Sequence, residues 1–281
     1  MPQDAVRVVG ITRFSIVSEG TNEGFRHTRD GSIEAARTIV HHPDRLRRRF
    51  GLFRTFAFPS LVAIAERYEY FRHLILTSAD LPEAYRATLN DLTMIAPWLK
   101  VVWISPSEKD WGSLQSAIAD FAGTHRRFTF RLDDDDALCA TYIDEVLAAA
   151  RHLPDKTVIS FDDGYWFYRN LFGPALLPKT YPFIAIGLGY LCGPGDADSV
   201  HTLGPHTEMG QQNNVHHVTG KRCWLRTVHD ANDSRVRRNY LFQRCLRGDR
   251  LVDALAKDFP HVDASRAGLA LMPSQMRAAL D

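Results

Sequence analysis

The sequence is poor in cysteine and has no two cysteines close together. Its four cysteines form no CxxC pair and are spread between residues 139 and 245. Neither a disulfide framework nor a zinc site built on paired cysteines is therefore expected. We interpret all four as free thiols buried in a protein of a reducing compartment: Cys139, Cys192, Cys223 and Cys245.

An excess of charge and a long apolar run are also missing. Lysine and arginine total 34 against 33 aspartates and glutamates, which is not typical of a nucleic-acid-binding or acidic disordered protein. No apolar stretch approaches the roughly 20 residues of a membrane-spanning helix, and the start of the chain does not resemble a signal peptide. We expect a cytoplasmic protein without a transmembrane segment, with peripheral contact to the inner membrane left open. The composition does not indicate an oligomeric state.

Apolar runs that predict strands alternate with helical patterns over the first 160 residues. Such alternation predicts an α/β fold with a largely parallel sheet flanked by helices. Ligands of these sheets bind beyond the carboxyl ends of the strands. The strands are predicted at 6–17, 72–78, 99–104, 127–132 and 157–161, and the helices at 53–68, 82–96, 110–121 and 142–152.

The pattern changes after residue 160. Pro174, Pro178 and Pro182 predict a loop, the apolar residues 184–191 predict a strand, and the arginine-rich tail from 235 is helical in pattern. The arginines within 45–54 are interpreted as a solvated helix face, with contact to anionic lipid or a charged polysaccharide as the alternative.

The most informative segment is Asp133–Asp136, four carboxylates directly after a predicted buried strand. Neighbouring carboxylates repel one another, and burial raises the energetic cost. A divalent cation would offset that repulsion, and Asp133 and Asp135, two residues apart, point to the same side of an extended chain. Carboxylate and phosphate oxygens suit Mg²⁺ or Mn²⁺. The alternative is a solvated acidic turn that caps the helix predicted from about Thr141.

The segment RLDDDDAL, residues 131–138, resembles the signature of the putative rhamnosyltransferases, a bacterial glycosyltransferase family of the GT-A fold. The opening strand with ITRFS at 11–15, His206, and HDANDS at 229–234 are also similar to that family, with Asp230 at the position of a glycine. The resemblance implies a GT-A-like fold, a nucleoside-diphosphate-sugar donor and a saccharide or lipid-linked acceptor.

The resemblance also implies roles for particular residues. A late histidine, His229, would complete a Mn²⁺ or Mg²⁺ site with Asp133 and Asp135. We expect one domain over 1–281, with a nucleotide-sugar- and metal-binding half at 1–160, an acceptor-side half at 161–240 and a helical tail at 241–281. The residues expected to bind the donor are Arg13, Arg131, Asp133, Asn232 and Ser234.

Inverting sugar transfer requires a base for the acceptor hydroxyl. The candidates are Asp162, Asp163, His206 and Glu208, and a retaining reaction would need none of them in that role. Two other functions stay open at this point. A metal-dependent phosphoesterase would need further ligands such as Asp80, and a non-catalytic protein would bind nucleotide-sugars without consuming them.

Overall fold

The computed structural model describes residues 5–19, 32–230, 232 and 244–272. Within them the secondary structure alternates as the sequence predicts up to about residue 160 and then becomes mainly β. The elements are β1 (Arg7–Arg13), α1 (Ile33–Val40), α2 (Pro43–Thr55), α3 (Ala57–Arg67), β2 (Phe71–Ser78), α4 (Glu83–Ile95), β3 (Leu99–Ile104), α5 (Gly112–Ala122), β4 (Arg127–Arg131), β5 (Ala137–Leu138), α6 (Tyr142–Ala150), β6 (Thr157–Phe161), β7 (Asp163–Asn170), β8 (Gly173–Thr180), β9 (Gly189–Cys192), α7 (Met209–Gln212), β10 (Asn214–Val218), β11 (Trp224–Val228), α8 (Asp249–Asp258) and α9 (Ala264–Ala270).

The large sheet of the described chain has seven strands in the order β10-β6-β9-β4-β1-β2-β3. Only β9 runs antiparallel to its neighbours, β4 and β6, and the remaining pairs are parallel. The carboxyl ends of β1, β4, β6 and β10 therefore lie at one edge of the sheet. The predicted α/β fold with a mainly parallel sheet is confirmed.

Buried side chains cover both faces of this sheet. Val8 and Ile75 belong to one core cluster, and the alternate residues Val9 and Leu74 belong to the other. Alternation places successive strand residues on opposite faces. Near-continuous burial of β2 and β4 is what a parallel sheet covered on both sides requires.

A second sheet, with the order β5-β11-β7-β8, joins the acidic run to the region after residue 160. The loop predicted around Pro174 and Pro178 is wrong, since β8 is a strand that pairs with β7. In the described chain β8 is an edge strand, where proline is tolerated because one row of amides needs no partner. Gly164 lies in β7, where glycine lets Trp224 pack closely, since an added Cβ would lie 2.1 Å from the Trp224 ring.

Three other predicted boundaries differ from the structure. The first strand ends at Arg13 because the backbone leaves the extended region at Ser15, where φ is 46°. The helix predicted at 53–68 is two helices, α2 and α3, and Pro59 is tolerated in the first turn of α3. The strand predicted at 184–191 begins only at Gly189, after turns at Phe183 and Gly187 with positive φ.

No helix among the described residues combines the length and the apolar character needed to cross a membrane. The cytoplasmic location, the peripheral membrane contact and the division into halves stay predictions.

Candidate functional site

The acidic run lies at the carboxyl edge of the large sheet, between β4 and β5. Leu132, the residue before the run, is fixed to β1 by two hydrogen bonds. The Leu132 N–H donates to Ile11 O at 3.0 Å, and the Leu132 carbonyl accepts from Thr12 Oγ1 at 2.7 Å. Asp134, Asp135 and Asp136 are all buried, whereas Asp133 is half-buried. The run is not a helix cap, because α6 begins only at Tyr142, after β5.

Arg49 supplies the positive charge that the run requires. Its guanidinium donates two hydrogen bonds to Asp134, one from Nε to Oδ2 at 2.8 Å and one from Nη2 to Oδ1. Its Nη1 donates a third, to Asp135 Oδ2 at 3.1 Å. Asp134 is fully buried. A planar guanidinium matches a carboxylate with two parallel bonds, so part of the repulsion that sequence reasoning assigned to a cation is offset by the protein itself.

The interpretation of the arginine-rich segment as a solvated face is therefore wrong for Arg48 and Arg49. Both are buried, and Arg48 pairs with Asp230, the residue at the family's glycine position. A signal for Arg49 was present in the sequence. Leu46, Arg49, Phe50 and Phe53 follow i, i+3, i+4, i+7 spacing, which places the arginine on the apolar face of α2.

Strand β11 fixes the other side of the run. The Thr227 N–H donates to Asp136 Oδ1 at 2.7 Å, and the Thr227 hydroxyl donates to Asp135 O at 2.8 Å. Burial raises the pKa of Asp136 well above its usual range, and the neighbouring carboxylates Asp135 and Asp133 raise it further. The backbone of β11 thus holds the Asp136 carboxylate in place. The residues that follow β11 then lie next to Asp135.

His229 and Asn232 follow β11 and converge on Asp135. His229 Nε2 lies 3.0 Å and Asn232 Nδ2 3.1 Å from Asp135 Oδ2. The Asn232 side chain also accepts from the His229 N–H at 2.6 Å, which fixes the turn between them. Burial alone would raise the pKa of Asp135, but Arg49 and His229 outweigh it and hold the pKa below its usual range. Ser234 lies outside the described residues.

The side chains that meet at Asp135 supply some of the ligands that a divalent cation needs. A carboxylate oxygen of Asp135 and an imidazole nitrogen of His229 are ligand types that Mn²⁺ accepts. No group of three or more potential metal-binding side chains exists within the described chain. The residues present therefore fit a site with two side-chain ligands, whose other positions fall to phosphate and water oxygens. Asp133, the third predicted ligand, makes no side-chain hydrogen bond to the described residues.

A positively charged group adjoins Asp133. The pKa of Arg131 is lowered to about 10, mainly by burial and also by the neighbouring Arg13, while Asp133 opposes the decrease. The Arg131 Nε is buried and has no hydrogen-bond partner among the described residues, and the same holds for His201 Nε2. Burial together with Arg131 and Arg13 also lowers the pKa of His201. Buried donors without partners beside two guanidinium groups are suited to an anion.

The structure separates the four base candidates. His206 lies near Arg131 and Asp133, with its Nδ1 2.6 Å from Phe183 O, and burial lowers its pKa. Glu208 is an exposed residue at the start of the single turn α7. Asp163 accepts from the Thr180 hydroxyl and, at 2.7 Å, from the Gly220 N–H, so it ties β7 to its neighbours.

Asp162, the fourth candidate, is buried and already has two partners. Its Oδ1 accepts from Ser160 Oγ at 2.6 Å, and its Oδ2 lies 2.8 Å from His217 Nδ1. Sequence reasoning missed His217, which is one of several histidines in an exposed segment. Asp80, named for a phosphoesterase, pairs instead with Arg37 at 2.6 Å. Asp80 and Asp162 are thus engaged elsewhere and do not join Asp135.

Comparison with solved structures gives distant matches, of which three are described here. A glucose-1-phosphate thymidylyltransferase from Bacillus anthracis is 10% identical, with a TM-score of 0.37 over 77% of this chain and 88% of that one. Residues 1–349 of S. aureus TarS are 10% identical, with a TM-score of 0.36 over 79% of this chain and 60% of that one. A 4-diphosphocytidyl-2C-methyl-D-erythritol synthase is 8% identical, with a TM-score of 0.37 over 84% and 95%.

No curated protein matches the sequence. A family model does match it, over residues 7–239, and its description is "Putative rhamnosyl transferase". The matched residues include the acidic run and its partners Arg49, His229 and Asn232. The chain belongs to this family of glycosyltransferases.

Proposed function

We propose that the protein transfers a sugar from a nucleoside-diphosphate donor to a hydroxyl of a saccharide or lipid-linked acceptor, with a divalent metal at Asp135 and His229. Rhamnose is the first sugar to test, because the family description names it. The observation that carries the proposal is the contact of Asp135 Oδ2 with His229 Nε2, at 3.0 Å, at the carboxyl edge of the sheet.

The charge distribution supports a diphosphate at this edge. Arg131 lies near both Arg13 and Asp133, and its Nε lacks a hydrogen-bond partner among the described residues. A bound Mn²⁺ or Mg²⁺ would supply positive charge to the leaving nucleoside diphosphate. The arginines would orient the phosphates from the other side. His206 lies near the same place, and burial lowers its pKa.

Arg49 has a supporting role in this proposal. It holds Asp134 and one oxygen of Asp135 from within the protein. This contact fixes the carboxylate of Asp135 in the orientation in which it meets His229. Asn232 restrains the same oxygen and the His229 backbone, so the proposed ligand pair is organised before any ligand binds.

Thermal unfolding with nucleotides tests the proposal. Wild-type protein should gain stability from dTDP, UDP or GDP, and Mn²⁺ should increase that gain for at least one of them. Asp135→Ala should remove the Mn²⁺-dependent part. The matched control is Asp144→Ala, since Asp144 is a half-exposed residue that pairs with Arg67 on the surface. The proposal is wrong if no nucleotide shifts the transition, and its metal assignment is wrong if Asp135→Ala behaves like the control.

A further inference from the structure

The strongest feature outside the acidic run is a histidine–carboxylate pair at the same edge of the sheet. His217 lies on β10 and Asp162 directly follows β6, and the two strands are parallel neighbours. His217 Nδ1 is 2.8 Å from Asp162 Oδ2. Asp162 is 4% exposed, whereas the His217 side chain is 40% exposed. The carboxylate is thus enclosed, and the imidazole it holds is open to ligands.

Asp162 is itself held in place. Its N–H donates to Val218 O at 3.0 Å, and the hydroxyl of Ser160 donates to its Oδ1 at 2.6 Å. With Oδ1 and the backbone fixed, Oδ2 has one orientation in which to accept the Nδ1–H of His217. This arrangement sets the tautomer of the ring and leaves Nε2 with its lone pair. The Nε2 of His217 makes no hydrogen bond to the described part of the chain.

Phe183 connects this pair to the donor side. Its ring packs edge-on against His217 at 5.3 Å, its N–H donates to Ser160 Oγ at 2.9 Å, and its carbonyl accepts from His206. Its backbone has φ 58°, a conformation that a large side chain adopts only when the surroundings impose it. His206 in turn lies near Asp133 and Arg131. Phe183, a strained residue, therefore lies between His217 and the proposed diphosphate site.

A small open depression of about 240 Å³ lies beside this strained residue. Its lining includes Tyr181, which is 44% exposed, and Thr207, the neighbour of His206. Aromatic and hydroxyl side chains together suit a molecule with both apolar and hydrogen-bonding faces, such as a sugar ring. The hollow is bordered by Phe183, whose ring contacts His217.

We propose that His217 is the catalytic base that deprotonates the acceptor hydroxyl, and that Asp162 is its positioning residue. This inference rests on the proposed function. The acceptor O–H proton passes to His217 Nε2. The acceptor oxygen then forms a bond to the anomeric carbon, as that carbon's bond to the β-phosphate oxygen breaks and its electron pair leaves with the nucleoside diphosphate. The transfer occurs in a single displacement, with inversion at the anomeric carbon.

His217 is better suited to this role than His206. A carboxylate beside Nδ1 stabilises the imidazolium that forms when Nε2 accepts a proton. His206 has only the Phe183 carbonyl at its Nδ1, and burial and the nearby Arg131 and Arg13 disfavour its protonated form. Asp162, expected above as a base candidate, acts in this account through His217.

The test compares His217→Ala with His216→Ala. His216 is the neighbouring residue on the same strand and points to the opposite face. Release of nucleoside diphosphate is followed with dTDP-rhamnose, UDP-glucose and GDP-mannose, with Mn²⁺ and simple glycosides as acceptors. His217→Ala should lower turnover about 100-fold or more, since a general base contributes about 10²–10⁴. It should leave the dTDP-, UDP- or GDP-induced thermal shift intact, and His216→Ala should change neither.

Imidazole in solution provides a readout that a structural role would not produce. It should restore part of the turnover of His217→Ala and none of that of Asp135→Ala. The inference is overturned if His217→Ala keeps turnover within threefold of wild type, or if it loses turnover together with nucleotide binding and imidazole has no effect. Absence of nucleotide binding by the wild-type protein would instead show that the proposed function is wrong, and the role of His217 would fall with it.

Discussion

Two buried aspartates at one edge of the sheet have different basic partners. Asp134 lies after β4 and accepts hydrogen bonds from Arg49, whereas Asp162 lies after β6 and is hydrogen-bonded to His217. A guanidinium stays charged at every accessible pH, while an imidazole gains and loses its proton near neutrality. Under the proposed function, this difference separates a region that holds a fixed charge from a region that transfers a proton. The first contains the acidic run, and the second adjoins the hollow beside Phe183.

The largest expected effect is on the Arg49 side of this comparison. Arg49→Met leaves the carboxylate of Asp134 buried and unpaired, and such a loss costs about 3–5 kcal/mol. Arg47→Met, on the same helix, changes an exposed residue that pairs with Asp44 and should cost less than about 0.5 kcal/mol. Urea unfolding measures both free energies. Equal values for the two variants would contradict the role of Arg49.

A smaller effect on stability is expected on the His217 side. Asp162→Asn keeps an oxygen that can accept from Ser160, so we expect a loss of about 1–3 kcal/mol from the weakened polar contacts. Turnover should nevertheless fall by more than about tenfold, because the amide no longer stabilises the imidazolium. Urea unfolding and donor consumption are measured on the same samples. A loss of stability as large as that of Arg49→Met would remove the contrast between the two regions.

The pH dependence of stability extends the contrast to a third residue, the buried histidine His73. His73 is fully buried on β2, and none of the described carboxylates contacts it. Its Nε2 lies 2.9 Å from Thr12 Oγ1, and burial lowers its pKa to about 3. Between about pH 6.5 and 3 the unfolded chain binds the proton and the folded chain does not. Stability should therefore decrease on acidification, by at most about 1.4 kcal/mol per pH unit from this group.

The measurement is the slope of the unfolding free energy against pH in urea titrations from pH 7 to 4. His73→Gln should flatten this slope, and His152→Gln, which changes an exposed histidine, should leave it unchanged. If the slope of His73→Gln matches that of the wild type, His73 does not remain neutral in the folded state.

Local patterns in the sequence predict the elements around the site well. The bounds of β3 and β6 are as predicted, and β4 ends one residue earlier than predicted, because short apolar runs between polar turns leave few alternatives. The proximity of His229 to Asp135 was also expected, but from the family resemblance rather than from spacing. Its role as a metal ligand stays a prediction.

Pairings between distant residues were not predictable in this way. Arg49 and Asp134 are separated by 85 positions, and His217 and Asp162 by 55. The spacing of apolar residues in α2 marks Arg49 as buried, but it does not indicate which aspartate Arg49 meets. No pattern indicates which of several histidines meets Asp162, since the fold decides both pairings. The β7–β8 hairpin was missed for a related reason: its prolines are tolerated only because β8 lies at a sheet edge in the described chain.

The most direct test of the central claim is metal-dependent consumption of a nucleotide-sugar. Wild-type protein and Asp135→Ala are incubated with dTDP-rhamnose, UDP-glucose or GDP-mannose, with Mn²⁺ or with EDTA, and the released nucleoside diphosphate is quantified. We predict release from at least one donor by the wild-type protein with Mn²⁺, and none by Asp135→Ala or in EDTA. No release from any donor, or equal release by Asp135→Ala, would contradict a sugar-transfer site at the acidic run.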